Sequence, residues 1–249
     1  MRSALADIDA LILAGGLGSR LANVLNGLPK VLAPISGRPF LDYQLDYLAA
    51  EGVRKVVLGL GYGAQMVLEY LARTKLPLAV ETVVEACPLG TAGAIALARP
   101  TLLSDPVLVL NGDTWLEIDL EEMLAAHRAS PDALATLSCV VVDDARHYGS
   151  IELGTDGSIA AFIEKESSSS AGLINAGVYL LSARLLDALV VMLNLSLERD
   201  VLPHLPSKAL HAYRVHDGNF LDIGTPESFG RAAAHLAARN IKLSGAVSV

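Results

Sequence analysis

The sequence predicts an α/β fold in which a mixed, mostly parallel sheet is flanked by helices. Apolar runs typical of strands alternate with runs typical of helices through the first half of the chain. This βαβ order builds parallel sheets through right-handed crossovers. The chain has 249 residues, of which 52% are hydrophobic, so it is long enough to bury a sizeable core. After residue 134 the pattern becomes richer in strands, which predicts added antiparallel β-structure.

The elements of the first half follow one another in βαβ order. A short apolar run at 8–13 predicts a buried strand that opens the sheet. The pattern then predicts a helix at 41–51, a strand at 53–60, a helix at 64–73, a strand at 76–83, a helix at 91–98 and a strand at 107–110. Ligands bind at the carboxyl ends of strands in such sheets, so the loops after residues 13 and 110 are expected to meet at one edge.

The second half adds three predicted strands, at 148–153, 159–163 and 173–181. Four consecutive serines at 167–170 predict a loop between two of these strands. A closing helix is predicted at 225–239, with Thr225 as its N-cap and Pro226 as its first residue. No hexapeptide repeat is present, so no left-handed β-helix domain is expected. We expect a single domain over 1–249, with a first half at 1–133 and a second half, which includes the closing helix, at 134–249.

Composition excludes several classes of partner. The net charge is −8 and the sequence has no basic stripe, which argues against a nucleic-acid partner. No apolar run approaches the roughly 20 residues that cross a bilayer, and the amino terminus lacks the pattern of a signal peptide. Cys87 and Cys139 have no metal-ligand spacing, which favours a reduced, cytoplasmic setting.

A glycine-rich turn follows the first predicted strand. Gly15, Gly16 and Gly18 allow the backbone to approach a ligand closely and to direct N–H groups at phosphate oxygens. Arg20 and Lys30 add the positive charge that a triphosphate requires. The spacing fits neither the dinucleotide-binding fingerprint nor the P-loop. An ordinary strand-to-loop turn is the alternative interpretation.

Two aspartates follow apolar stretches of the kind that end at the edge of a sheet. Asp113 follows the strand at 107–110 through Asn111 and Gly112, and Asp222 precedes the closing helix. Taken singly, each aspartate could equally be a turn or capping residue. The sequence offers no cluster of histidine and cysteine that would form a rival zinc site.

Three further segments carry polar residues near strand or helix ends. Glu164 and Lys165 end a predicted strand, although such a pair is also typical of a solvated surface. Asn175 opens the strand at 173–181 and could be a turn residue. Glu198 lies in a segment in which Ser196 could cap a short helix. A fourth segment, from 85 to 94, runs Glu-Ala-Cys-Pro-Leu-Gly-Thr-Ala-Gly-Ala.

In this order, the segments resemble the signature of the sugar-1-phosphate nucleotidyltransferases. The family pattern is roughly Leu-Ala-Gly-Gly-x-Gly-Thr-Arg-Leu, then Pro-Lys-Pro, Glu-x-x-Pro-Leu-Gly-Thr-Ala-Gly, Gly-Asp, Glu-Lys and Asn-x-Gly. This chain departs from it at Ser19, which replaces threonine, and at Val31, which replaces the second proline. The matching segments span residues 11–227, nearly the whole chain.

The resemblance implies a Rossmann-like fold and assigns roles to particular residues. It implies nucleotide contacts from Leu13, Ala14, Gly15, Gly16, Gly18, Ser19, Arg20, Lys30, Glu85, Pro88, Gly90, Thr91, Asn111 and Gly112. It implies sugar contacts from Glu164, Lys165, Asn175, Tyr179 and Glu198. It further implies that Asp113 and Asp222 hold Mg²⁺, which usually takes one or two carboxylates together with phosphate oxygens. The implied catalytic residues are Arg20, Lys30, Asp113, Lys165 and Asp222.

The base is predicted from Glu85. Guanine presents two adjacent donors, N1–H and the N2 amino group, which one carboxylate can accept, whereas uracil and thymine favour an amide. The expected reaction therefore transfers GMP from GTP to a sugar 1-phosphate and releases pyrophosphate. A Glu85 side chain facing solvent is the alternative. The resemblance is nearest to short bacterial guanylyltransferases acting on D-glycero-α-D-manno-heptose 1-phosphate, and it leaves a homo-oligomer open.

Other activities stay open at this point. Within the family these are transfer to mannose 1-phosphate and the use of UTP or dTTP. A catalytically silent subunit that binds a nucleotide sugar is disfavoured, because Arg20, Lys30, Asp113, Lys165 and Asp222 are all present. A molybdopterin guanylyltransferase is disfavoured by the Pro-Leu-Gly-Thr and Glu-Lys segments, and an NAD-dependent oxidoreductase by the missing third glycine.

Overall fold

A mixed β-sheet organises the fold. The structure is a computed structural model that describes residues 3–145, 148, 150–154, 157–163, 171–189, 194–216 and 219–237. Within these ranges the central sheet has nine strands, seven of them in the order β10-β9-β11-β6-β1-β4-β5, while β8 pairs with β11 and β12. Its strands are β1 (Asp9–Ala14), β4 (Lys55–Leu60), β5 (Ala79–Val84), β6 (Val107–Asn111), β8 (Ala135–Val142), β9 (Ser150–Leu153), β10 (Ile159–Ile163), β11 (Gly172–Leu181) and β12 (Leu210–Arg214).

Helices cover the sheet, and two short pairs of strands form separate two-stranded sheets. The α-helices are α1 (Ala22–Leu25), α2 (Phe40–Glu51), α3 (Ala64–Arg73), α4 (Gly90–Ala98), α5 (Leu120–Arg128), α6 (Ala183–Leu189) and α7 (Pro226–Ala237). The pairs are β2 (Pro34–Ile35) with β3 (Arg38–Pro39), and β7 (Thr114–Glu117) with β13 (Asn219–Asp222). No helix in the described part of the chain is both long enough and apolar enough to span a bilayer.

The parallel half of the sheet agrees with the βαβ prediction. Strand β1 lies between β4 and β6 and is parallel to both. In this register Leu13 is level with Asn111, so the carboxyl ends of β1 and β6 open at the same edge. The prediction that the loops after these two strands meet is confirmed.

The antiparallel half is also confirmed, although strands β8 and β12 were not predicted individually. Strand β11 pairs antiparallel with β6, β8 and β9, and β10 pairs antiparallel with β9. The register of β11 against β8 shifts between Asn175 and Tyr179, where Gly177 has a φ of 74°. Strand β12 was missed, and it pairs parallel with β8 at the far side.

Buried apolar residues fill the space on both faces of the sheet because strand side chains alternate. Along β1, Ala10 and Ile12 pack into one core and Leu11 packs into the other. Strand β6 divides in the same way, with Leu108 and Val109 on opposite faces. A third core lies between the β7–β13 pair, α7 and α1.

The closing helix begins as predicted. Pro226 is its first residue, and the backbone N–H of Ser228 donates to the Thr225 hydroxyl at 3.2 Å. The last two residues of the predicted helix and the four-serine segment at 167–170 lie outside the described residues.

Candidate active site

A cleft of about 400 Å³ opens at the carboxyl ends of β1 and β6. The glycine-rich turn, the end of β6 and the start of α4 surround it. Its lining consists of Leu13, Ala14, Gly15, Gly16, Leu17, Lys30, Val31, Glu85, Pro88, Gly90, Thr91, Ala94, Asn111, Gly112, Asp113 and Glu198. The structure thus brings most of the predicted nucleotide-binding residues together, along with Asp113 and Glu198 from the other two predicted groups.

The glycine-rich turn needs its glycines for two different reasons. A Cβ on Gly15 would collide with a carboxylate oxygen of Glu85, and one on Gly61 would lie 2.7 Å from the Gly15 carbonyl oxygen. Gly16 has open space where a Cβ would lie, so a ligand can approach the backbone there. Gly18, at a φ of 59°, leads into the 3₁₀ turn Ser19–Leu21.

Ser19 and Arg20 are exposed and do not line the cleft. Arg20 is nevertheless close enough to the acidic pair described below for its charge to act on the pKa of Asp222. An exposed arginine at the rim of a cleft can meet the outer phosphates of a bound triphosphate.

Lys30 and Asp113 form an ion pair at the floor of the cleft. The Lys30 Nζ lies 2.6 Å from the Asp113 Oδ2, and both side chains are partly exposed. Lys30 begins a short 3₁₀ turn, Lys30–Leu32, whose residues Val31 and Leu32 anchor it in the core. The lysine is thereby held over the carboxyl end of β6.

Asp113 and Asp222 lie side by side because β7 and β13 pair. Asp222 is level with Thr114 in the register, and the Ile223 N–H donates to the Asp113 carbonyl oxygen at 2.9 Å. Burial, reinforced by the negative charge of Asp113, raises the pKa of Asp222. Two carboxylates in a half-buried site repel each other unless a cation lies between them or beside them.

This donor set fits Mg²⁺, which favours carboxylate oxygens and completes its coordination with phosphate and water. The described residues hold no group of three or more histidine, cysteine, aspartate or glutamate side chains arranged for a metal. Two carboxylates suit a cation that arrives with a nucleotide. We therefore assign Asp113 and Asp222 as the residues that would hold it.

Glu85 faces the cleft, as the guanine prediction requires. Its Oε2 accepts the Leu89 N–H at 2.7 Å, which fixes the orientation of the carboxylate. A carboxylate offers about four lone-pair positions, so this bond leaves both oxygens able to accept from a base. The alternative of a side chain directed wholly into solvent is wrong.

Glu198 is the centre of a hydrogen-bonded network at the other side of the cleft. One of its oxygens accepts from the Thr91 hydroxyl at 2.8 Å and the Ser196 hydroxyl at 2.9 Å, and the other accepts from the Tyr179 hydroxyl at 3.0 Å. Asn175 donates to the Tyr179 hydroxyl at 2.8 Å. Ser196 also caps the π-helical turn Leu197–Val201, as its alternative interpretation predicted.

One predicted contact needs correction within this network. Tyr179 has no exposed surface, so it cannot touch a sugar and instead orients Glu198. The Thr91 hydroxyl donates to Glu198 and accepts the Leu197 N–H at 2.7 Å, so it is committed to the protein rather than to a nucleotide. Its backbone N–H, at the start of α4, stays a predicted nucleotide contact.

The remaining predicted sugar-binding residues are either away from the cleft or outside the described residues. Asn175 does not line the cleft and acts on Glu198 through Tyr179. Glu164 and Lys165 lie outside the described residues.

The sequence also missed residues at the cleft. Leu17, Val31 and Ala94 line it, and nothing in their apolar type distinguishes them from core residues. Tyr148 does not line the cleft, but it lies near the acidic pair: burial and the charges of Asp222 and Asp113 raise its pKa to about 12.

Comparison with known proteins gives a consistent result. Residues 9–239 match the family described as nucleotidyl transferase. A mannose-1-phosphate guanylyltransferase of Mycobacterium tuberculosis is 36% identical over 92% of this chain, which spans 64% of that relative's length. A D-glycero-alpha-D-manno-heptose 1-phosphate guanylyltransferase of Aneurinibacillus thermoaerophilus is 34% identical over 92% of this chain and 98% of its own.

Solved structures agree with the sequence comparisons. HddC from Yersinia pseudotuberculosis has a TM-score of 0.81 and 34% identity, with coverage of 92% of this chain and 99% of that one. The same protein complexed with GMP-PN has a TM-score of 0.80.

Proposed function

The chain belongs to the nucleotidyl transferase family, and from that premise we propose that it transfers GMP from GTP to a sugar 1-phosphate. A phosphate oxygen of the sugar 1-phosphate attacks the α-phosphorus of GTP in line. The bond from that phosphorus to pyrophosphate breaks, which yields a GDP-sugar. Such a reaction depends on positioning and charge neutralisation more than on acid–base chemistry.

Each part of the cleft has a role in this proposal. The backbone of Gly15 and Gly16 binds the triphosphate, with further contacts from Gly18 and Ser19. Arg20 stabilises the departing pyrophosphate, and Lys30 neutralises charge on the α-phosphate. Lys165 neutralises the incoming phosphate.

The metal belongs to the same proposal. Asp113 and Asp222 hold Mg²⁺, and when bound this cation offsets the repulsion between the two anionic reactants. The observation that supports it is the adjacent carboxylate pair, in which the pKa of Asp222 is raised beside Asp113.

The proposal of GTP rests on Glu85. Its carboxylate lies at the cleft and is oriented by the Leu89 N–H. Three relatives that are named guanylyltransferases support the same base. The alternative donors UTP and dTTP present one donor between two acceptors, which a carboxylate matches less well.

For the acceptor we propose D-glycero-α-D-manno-heptose 1-phosphate, with mannose 1-phosphate as the second candidate. Relatives named for each sugar match about nine-tenths of this chain. Both sugars have the manno configuration, so the same hydroxyl contacts suit them. We propose that Glu198 and Glu164 make these contacts and that Asn175 supports them. The use of GTP is in keeping with a cytoplasmic location.

A matrix of substrates tests the proposal. Pyrophosphate release is measured for GTP, ATP, UTP and dTTP, each with the 1-phosphates of the heptose, mannose and glucose, in the presence of Mg²⁺. We expect turnover only in the GTP row and only with the two manno-configured sugars. Turnover with UTP or dTTP at or above that with GTP contradicts the guanylyl assignment. Binding of GDP-sugars without turnover for any combination of substrates favours a silent regulatory subunit.

A further inference from the structure

A buried glutamine lies beneath the turn that carries Asp113. Gln44 belongs to α2 and is only 2% exposed. Its Nε2 donates to the carbonyl oxygen of Asn111 and to that of Thr114, each at 3.0 Å. These two carbonyls lie on either side of Asp113, so one amide group joins both ends of the turn.

Contacts with other elements hold the rest of the turn that carries Asp113. The Gly112 N–H donates to the Leu13 carbonyl oxygen at 3.0 Å, and the Asp113 carbonyl oxygen accepts the Ile223 N–H at 2.9 Å. A Cβ on Gly112 would lie 2.6 Å from the Leu13 carbonyl oxygen, so the turn is pressed against β1. Gln44 supplies the contacts from the helical side, and without them the carbonyls of Asn111 and Thr114 lose a buried donor.

The chemistry of the glutamine argues against simple space filling. Its Oε1 is buried and has no hydrogen-bond partner among the described residues. Burying an acceptor without a partner is unfavourable, and a methionine or leucine at this position would avoid that cost. The gain that offsets this cost is the pair of N–H donors, since a terminal amide can donate to two carbonyls at once.

We propose that Gln44 is a positioning residue that sets where the Asp113 carboxylate meets a divalent cation. The inference rests on the proposed function, in which Asp113 and Asp222 hold that cation. Removal of the amide lets the turn relax, so that the Asp113 carboxylate no longer lies beside that of Asp222. Partners behind a metal ligand commonly control affinity in this way, and their loss costs roughly 10- to 100-fold in metal affinity or activity.

The experiment separates positioning from stability through a neighbouring residue. Gln44→Met keeps the volume and removes both donors. Tyr43→Phe is the matched control, because the Tyr43 hydroxyl donates to the Ile35 carbonyl oxygen at 3.0 Å from the adjacent position of α2, away from Asp113. Both variants lose buried hydrogen bonds, so both should unfold at a lower urea concentration than the wild type.

Mn²⁺ serves as the probe, with GTP and without a sugar phosphate. Free Mn²⁺ is measured by electron paramagnetic resonance, and kcat and KM for GTP are measured separately with Mg²⁺. For Gln44→Met we expect the Mn²⁺ dissociation constant to rise roughly 10-fold or more and kcat to fall similarly, with KM for GTP within about threefold. Tyr43→Phe should keep the wild-type Mn²⁺ affinity and kcat.

The outcomes are distinct. Equal Mn²⁺ affinity and kcat in Gln44→Met and Tyr43→Phe overturn the inference. If Gln44→Met fails to fold, Gln44→Asn replaces it, since the shorter side chain keeps the amide but cannot reach both carbonyls, and the same loss is expected. A wild-type protein that binds no Mn²⁺ with GTP contradicts the metal assignment of the proposed function instead.

Discussion

The Lys30 ammonium and the Asp113 carboxylate lie 2.6 Å apart, so each neutralises the other in the structure. The proposed reaction needs the two charges for different partners, Lys30 for the α-phosphate and Asp113 for the cation. Binding of GTP with its metal therefore has to separate the pair. Because both side chains are partly exposed, the ion pair is weak enough to be exchanged for stronger contacts with a polyphosphate.

Asp113→Asn should lower kcat by roughly 100-fold or more, because the charge that holds the cation is lost, at a cost of several kcal/mol in the transition state. Pyrophosphate release across a range of Mg²⁺ concentrations measures this. Asp187→Asn, which removes an exposed carboxylate paired with Arg99 outside the cleft, is the control and should be unchanged. Near-normal turnover in Asp113→Asn would remove this residue from the metal site.

Lys30→Met should lower kcat/KM by roughly 100-fold or more while leaving stability almost unchanged, because a partly exposed ion pair contributes at most about 1 kcal/mol. The matched control is Lys55→Met. Lys55 also pairs with an aspartate, Asp9, at 3.1 Å, and donates to the Thr101 carbonyl oxygen at 2.7 Å, but it lies at the opposite end of β4 from the cleft. We expect the control to lose stability and keep activity. Steady-state kinetics and urea unfolding of both variants test this expectation. If Lys30→Met loses stability and keeps activity, Lys30 is a structural residue.

Glu85→Gln should erode the preference for GTP over UTP and dTTP by roughly 10- to 150-fold, chiefly through KM for GTP. The reason is that the glutamate carboxylate can accept from both guanine donors, whereas a glutamine amide presents one acceptor and one donor to the guanine edge. Glu81→Gln, at an exposed position of β5, the strand that Glu85 follows, is the control. An unchanged ratio of kcat/KM values between GTP and UTP in Glu85→Gln would show that another group selects the base.

Stability should decrease as the pH falls from about 6.5 to about 4, in part through His127. Burial lowers the pKa of His127 from 6.5 to about 4, so the folded chain keeps this ring neutral while the unfolded chain takes up a proton. The full contribution is present above pH 6.5, and about 1–3 kcal/mol of it is lost by pH 4. The ring nitrogen Nδ1 lies 2.8 Å from the Thr136 hydroxyl, so it is held in place.

Urea unfolding at pH 7 and at pH 5 measures this effect. His127→Gln should show a smaller difference between the two pH values than the wild type. The control is His204→Gln, which removes an exposed histidine and should keep the wild-type difference. If His127→Gln keeps the wild-type difference in stability between pH 7 and pH 5, other groups cause the acid sensitivity.

The pattern of apolar and polar residues along the chain predicted most of the fold and part of the site. The strand at 159–163 and the helix at 64–73 were predicted with the observed bounds, since apolar periodicity decides them. Strand β12 was missed, because its pairing with β8 is a long-range contact that no local pattern encodes. The register that places Asp222 beside Asp113 is of the same kind. The division of the chain at residues 133 and 134 stays a prediction.

The errors in the site have a common physical origin. Sequence reasoning places a residue near a ligand from its neighbours along the chain, but it does not show which hydrogen-bonding partners are already taken. Tyr179 is buried and committed to Glu198, and this could only be seen in three dimensions. Gln44 was missed because one glutamine among the polar residues of α2 gives no sign of which carbonyl oxygens it reaches.

The segment around Glu198 is bonded to the start of α4. This contact affects how substrate preference can be re-engineered. A Cβ on Gly90 would lie 2.5 Å from the Leu195 carbonyl oxygen, and that oxygen accepts the Ala92 N–H at 2.9 Å. The segment after Glu85, the residue proposed to contact the base, thus shares a backbone hydrogen bond with the segment proposed to contact the sugar. A chimera that takes residues 85–92 from one relative and 195–198 from another would break matched partners. Donor and acceptor preference should therefore be exchanged as one cassette.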